Sequence, residues 1–232
     1  MSAAPRAGVR RAPDRSLVLA PLGVVVYFVA SALHGGEQAG DLPAVLPQYA
    51  TNELWLLSHA GQLLGMLLLL AGWAAALTWL SRRRSAATRV RVVLLLAAAV
   101  YTVNQAVDGI AVQHVARAYV DSPAQQQSTS LLIAHAVRHV EIGLTSTFQM
   151  LLGVALVLTA LAGIRRWFAG LSGVVGLSWL VLATDVARNG FANTGPTTVA
   201  ALGLVLWVVS LVVLGRSARR ESSTAEGVLE PP

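Results

Sequence analysis

The sequence contains no cysteine and no lysine. Without cysteine there are no disulfides, no thiolate metal ligands and no thiol nucleophile. Without lysine there is no Schiff-base chemistry of the retinal or pyridoxal kind. Charged residues are scarce too, at 12% of the chain against roughly 25% in a soluble domain. What is present instead is apolar: 55% of the 232 residues are hydrophobic, and the mean hydropathy is +0.63. Several apolar runs reach the roughly 17–25 residues that cross a bilayer. The chain therefore reads as an all-α, polytopic transmembrane protein with no space for a large second domain.

Six spans are expected, at about Leu17 to Leu33, Leu54 to Leu80, Val92 to Val115, Leu131 to Ile164, Phe168 to Ala187 and Thr198 to Leu214. They form a helical domain over 17–215. A basic tail at 1–16 precedes it (Arg6, Arg10, Arg11, Arg15), and a second tail at 216–232 follows it (Arg216, Arg219, Arg220). Both tails are polar enough to be read as disordered. Ala30-Ser31-Ala32 also resembles a small-residue cleavage site, so a signal peptide is the alternative reading of span one. The segment 34–53 (His34, Gly35, Gly36, Glu37, Asp41, Pro43, Pro47, Glu53) reads as an acidic loop without arginine.

The net charge of +6 is not a nucleic-acid footprint. Fourteen of the seventeen arginines sit in the two tails and in the segments 82–91 and 165–166. These basic segments alternate with neutral or acidic ones, which under the positive-inside rule puts both termini in the cytoplasm. The expected location is the plasma membrane, with the lipid bilayer as the main partner. Gly61 and Gly65 in span two, with Gly72, and Gly170, Gly173 and Gly176 in span five, are small-residue steps that let helices approach closely.

The spans carry costly polar groups. A charge in hydrocarbon costs at least a few kcal/mol, so such groups turn to other helices or to water. In span four, His135, Arg138, His139, Glu141, Thr145, Ser146 and Gln149 fall on one arc of about 160° at 3.6 residues per turn. In span two Ser58, His59 and Gln62 share an arc of about 100°, and in span three Tyr101, Asn104, Gln105 and Asp108 do the same. His114 points elsewhere. With the assigned orientation these groups gather in the outer half of the bundle, from at least three helices.

His135 and His139, at i and i+4, present two imidazoles on one face, a spacing suited to metal ligation. With His59 and Asp108 or Glu141 they form a candidate zinc or iron site, against the plainer reading of hydrogen bonds to neighbouring helices. Two histidines on separate helices are also the ligand set for a haem. Arg138 and Glu141 at i, i+3 suit an ion pair. One reading is structural; the other makes Asp108, Glu141 and Arg138 an acid/base or proton-relay set.

The runs Trp55-Leu56-Leu57-Ser58-His59 with Gln62 and Gly65, Ala106-Val107-Asp108-Gly109-Ile110-Ala111, and Val137-Arg138-His139-Val140-Glu141-Ile142-Gly143 resemble a family of small polytopic actinobacterial membrane proteins of no assigned activity. The resemblance covers most of spans one to four. It implies His59, Asp108, Arg138 and Glu141 as family positions and leaves His135 and His139 outside the pattern. A fainter similarity is to membrane hydrolases of the alkaline ceramidase and adiponectin-receptor type, which hold zinc with residues of separate helices.

Three functions follow as expectations. The first is a structural network or small-ligand pocket built from Ser58, His59, Gln62, Asn104, Asp108, His139 and Glu141. The second is an intramembrane enzyme on a lipophilic substrate, with Asp108 or Glu141 as acid/base and a metal on His59, His135, His139 and Asp108. The third is a proton-coupled transporter, although no repeat halves or broken spans are visible.

Overall fold

The computed structural model describes residues 18–34, 41–81 and 83–227. The basic tail expected at 1–16, Gly35 to Glu37 of the acidic loop, and residues 228–232 lie outside the described residues. In chain order the helices are α1 (Leu19–Ala32), α2 (Leu42–Thr51), α3 (Trp55–Leu80), α4 (Arg84–Ala106), a π-helical segment (Val107–Val112), α5 (Gln113–Asp121), α6 (Gln127–Ala160), α7 (Arg166–Asn189) and α8 (Thr194–Gly227). Five continuous stretches are long and apolar enough to cross a membrane: Trp55–Thr78, Arg84–Asp121, Gln127–Ala160, Arg166–Asn189 and Thr194–Ser217. Leu19–Ala32 is a shorter apolar helix. The chain is thus an all-α protein of the membrane-spanning type. Side chains such as Leu95, Leu132 and Val174 point outward, about 70% exposed, as expected where lipid replaces water.

Three features depart from the sequence reading. The segment 34–53 contains α2, started by Pro43 in its first turn, where proline's missing N–H has no partner to lose. Helix α8 continues to Gly227, through residues whose polarity predicted an unstructured tail. Span three is not uniform, because its helical ladder widens to π over Val107–Val112.

Close packing holds the bundle together. Helix α1 lies along α3, α6 along α4 and α7, α7 along α8, and α2 rests on α5. A Cβ added at Gly65 would lie 2.5 Å from the Tyr27 nitrogen and 2.7 Å from the Gly23 oxygen. Gly61 faces Ala30, and Gly72 faces Ala20. The α1–α3 seam is therefore backbone against backbone, which only small residues permit. Gly153 and Gly176 make the same kind of contact between α6 and α7, whereas Gly170 faces open space. Helix α7 ends where Gly190 adopts φ +64°, a conformation that glycine enters at no steric cost.

Candidate functional site

The polar residues of α1, α3, α4, the π segment, α6 and α7 surround a cavity of about 450 Å³. It runs from the middle of the bundle toward the helix ends far from the arginine-rich turns: the second half of α1, Gln62 to Leu69 of α3, Glu141 to Gln149 of α6, Trp179 to Val186 of α7 and the first turns of α8. Its polar wall includes Gln62, Asn104, Gln105, Asp108, Glu141 and Gln149, and its apolar wall includes Val24, Phe28, Phe148, Leu182 and Leu204. The volume falls within the 300–1,000 Å³ of small-molecule pockets.

An Arg–Glu ion pair and a close His–Asp contact border it. Arg138 donates from one guanidinium nitrogen to both Glu141 oxygens, at 3.0 and 2.9 Å. Its guanidinium also sits 4.6 Å from the centroid of the Phe191 ring. Glu141 is only 2% exposed, so this pairing is what makes an ionised carboxylate tolerable there.

The second pair is His59 Nε2 and Asp108 Oδ2, 3.1 Å apart. The Trp55 carbonyl lies 2.7 Å from His59 Nδ1 and can only accept, so Nδ1 carries a hydrogen and donates it. The other ring nitrogen, Nε2, is the one that lies beside the carboxylate. Trp55 also donates its indole N–H to the Asp108 carbonyl at 3.2 Å. The π segment makes room for this approach. Gly109 stands against His59, where an added Cβ would lie 2.8 Å from the imidazole's own Cβ.

Histidine 34 joins this pair from the end of α1. Its ring is tilted against its neighbours, with its centroid 4.8 Å from that of His59 and 4.5 Å from that of Trp55, while the Trp55 and His59 centroids are 4.6 Å apart. Tyr49 of α2 closes the group against Trp55 at 4.5 Å. Helix α2 is held over it by Gln113, which donates to the Asn52 carbonyl at 3.1 Å. One ligand atom from each of His34, His59 and Asp108 lies within 4.8 Å of the other two.

Hydrogen bonds knit the cavity wall. Gln62 donates to Ser31 at 3.2 Å, and Thr145 donates to Asn104 at 3.2 Å. Ser58 is buried and donates to the Trp55 carbonyl at 2.9 Å. Four residues of the wall each carry a shielded polar atom with no protein partner: Gln105 Oε1, Asp108 Oδ1, Gln149 Oε1 and Trp179 Nε1. Buried polar atoms are rarely left so, and here all four belong to residues around one void.

Of the residues singled out in the sequence, Gln62, Asn104, Asp108 and Glu141 line the cavity, and His59 and Ser58 are buried at its end. His135 and His139 are exposed, with His139 Nδ1 2.7 Å from the carbonyl of His135. They do not belong to the group formed by His59 and Asp108, so the i, i+4 pair is not where histidines converge. His114 is also exposed. The rings of His34 and His59 are tilted at 54° with centroids 4.8 Å apart, not opposed across a porphyrin-wide gap.

Sequence reasoning missed His34, Trp179 and the capping role of Tyr49 and Trp55. The one available signal for His34 was its depth, at the end of span one and level with His59. Comparison of the chain with protein-family models, with curated proteins and with solved structures finds no match in any of the three.

Proposed function

We propose that this membrane protein binds a small amphiphile, an apolar body with a polar end, in the cavity between α1, α3, α4, α6, α7 and α8. The observation that carries this reading is that four residues lining the cavity, Gln105, Asp108, Gln149 and Trp179, each carry a buried polar atom with no protein partner. A ligand with hydroxyl or amine donors satisfies the carboxylate and amide oxygens, and an acceptor satisfies the indole N–H. The apolar wall takes the remainder. A purely structural network is less well supported, since closing a network leaves neither a void nor unmet hydrogen bonds.

Phe28 and Thr197 line the cavity and are exposed, which puts its mouth between α1 and α8, facing lipid. A lipophilic ligand arrives by that route. The proposal takes six spans, the plasma membrane and cytoplasmic termini from the arginine distribution, and so a cavity in the outer half. It also takes kinship with the small actinobacterial membrane proteins, carried by His59, Asp108, Arg138 and Glu141.

The test is mass spectrometry of small molecules extracted from the purified protein, beside Ala201→Trp, which fills the cavity from α8, and Gln149→Leu. One compound at near one equivalent in the wild type and below a tenth in Ala201→Trp supports the reading. Identical extracts from all three proteins overturn it.

A further inference from the structure

We infer that His34, His59 and Asp108 bind one zinc-class divalent cation, with an open coordination position facing the cavity. The three side chains come from α1, α3 and the π segment, and are brought together only by the fold. Two ligands each about 2.1 Å from an ion, at bond angles of 90–110°, lie about 3.0–3.4 Å apart. His59 Nε2 and Asp108 Oδ2 are separated by 3.1 Å, which fits neighbouring ligands of one ion as well as it fits a shared proton. The remaining spacing, up to 4.8 Å, exceeds that range by about 1.4 Å. His34 is half-buried at the end of α1, and a shift of that helix end brings its ring within range.

The surroundings match what metal-binding histidines need. A ligating imidazole donates its second N–H to a carbonyl or carboxylate, which sets the tautomer and the ring plane. His59 Nδ1 does this to the Trp55 carbonyl at 2.7 Å. The Trp55 ring lies against both imidazoles, at 4.5 and 4.6 Å, and restrains their rotation. Asp108 projects from a π segment, a distortion that recurs at functional sites. Its second oxygen, Oδ1, is shielded from solvent and has no protein partner, so it is available to the ion or to a water on it.

Two nitrogens and one oxygen, with no thiolate, suit zinc and its first-row neighbours. Three protein ligands and an open position is the catalytic rather than the structural pattern. His34 and Asp108 both line the cavity, so the open position looks into it. An oxygen of a cavity ligand is placed to take that position. The two readings share Asp108 Oδ1: with a cation bound, that oxygen serves the ion, and Gln105, Gln149 and Trp179 remain for the amphiphile. Either is therefore able to fail while the other stands.

The test is isothermal titration of Zn²⁺ into the chelator-stripped, detergent-solubilised full chain, with the visible d–d spectrum of Co²⁺ as a second readout. One equivalent is expected for the wild type and for the double variant His135→Ala/His139→Ala. His34→Ala and Asp108→Asn are expected to lower affinity at least tenfold and to alter the Co²⁺ bands, with thermal unfolding followed to confirm the fold. His34 is half-buried at a helix end, so His34→Ala decides the matter if Asp108→Asn fails to fold. Less than a tenth of an equivalent in the wild type overturns the inference. So does wild-type affinity in His34→Ala, or loss of binding in the His135/His139 double variant.

Discussion

Toward the arginine-rich ends of the helices, the interior is filled by rings: Trp73 against Trp207 at 4.6 Å and Phe168 against Trp207 at 5.4 Å. The polar groups there are mostly closed on one another. Trp207 donates to Ser172 at 2.8 Å, and Ser172 donates to the Phe168 carbonyl at 2.8 Å. Trp73 Nε1, packed against Trp207, is a shielded atom without a hydrogen-bond partner here. Toward the other ends the same helices leave a void of about 450 Å³, lined by four residues that each carry an unpartnered polar atom and bordered by an Arg–Glu ion pair and a close His–Asp contact. The difference teaches that lack of close packing here is local. The chain packs densely where the rings meet and stays open where polar groups converge.

The largest effect is expected at the seam that frames the cavity. Gly65→Leu drives a side chain into the Tyr27 backbone and should cost about 3 kcal/mol or more, read as a collapse of folded yield and a lower unfolding temperature in detergent. A tolerated Leu at that site breaks the account of α1 and α3.

Removing Arg138 comes next. Arg138→Ala leaves the buried Glu141 carboxylate without its partner and should cost about 3–5 kcal/mol. The paired change Arg138→Met/Glu141→Leu should recover most of the unfolding temperature. If it recovers none, the pair contributes more than mutual neutralisation.

The comparison is sharpened by two single changes of the same chemical kind. Ser172→Ala strips the acceptor from the fully buried Trp207 and should destabilise by about 1–3 kcal/mol. Gln149→Leu removes an oxygen that has no partner, so the ligand-free protein should hold its stability or gain up to about 1 kcal/mol. Thermal unfolding of both variants checks the pair, and equal losses would erase the contrast between the two halves. The smallest effect belongs to His135→Ala and His139→Ala, both exposed. Each should change stability by less than about 0.5 kcal/mol, measured in the same assay.

The polar arcs of the second, third and fourth sequence spans pointed to residues that line or border the cavity. The reason is simple: a charge kept out of lipid has to face inward, and helical phase says which residues share that direction. The i, i+4 spacing of His135 and His139 misled because it reports one face of one helix. It carries no information about where along that face a neighbour begins to cover it, and among the described residues His135 and His139 stay exposed while Glu141 is buried. His34 was overlooked for the complementary reason, since a single polar residue at a span end has no periodicity. Helix α2 was hidden by its prolines, which read as loop although one of them starts the helix.

The sequence by itself determined that this is a multi-pass helical membrane protein, because the transfer of a twenty-residue apolar segment into lipid depends on that segment alone. It also determined which helix faces are polar and where small residues allow close contact. Only the tertiary structure decided that His34, His59 and Asp108 meet, that α2 covers them, and that Gln105, Gln149 and Trp179 share one void. Those depend on which helices become neighbours and on a one-residue widening of the ladder at Asp108. Both are set by the packing of many side chains at once, which no local pattern encodes.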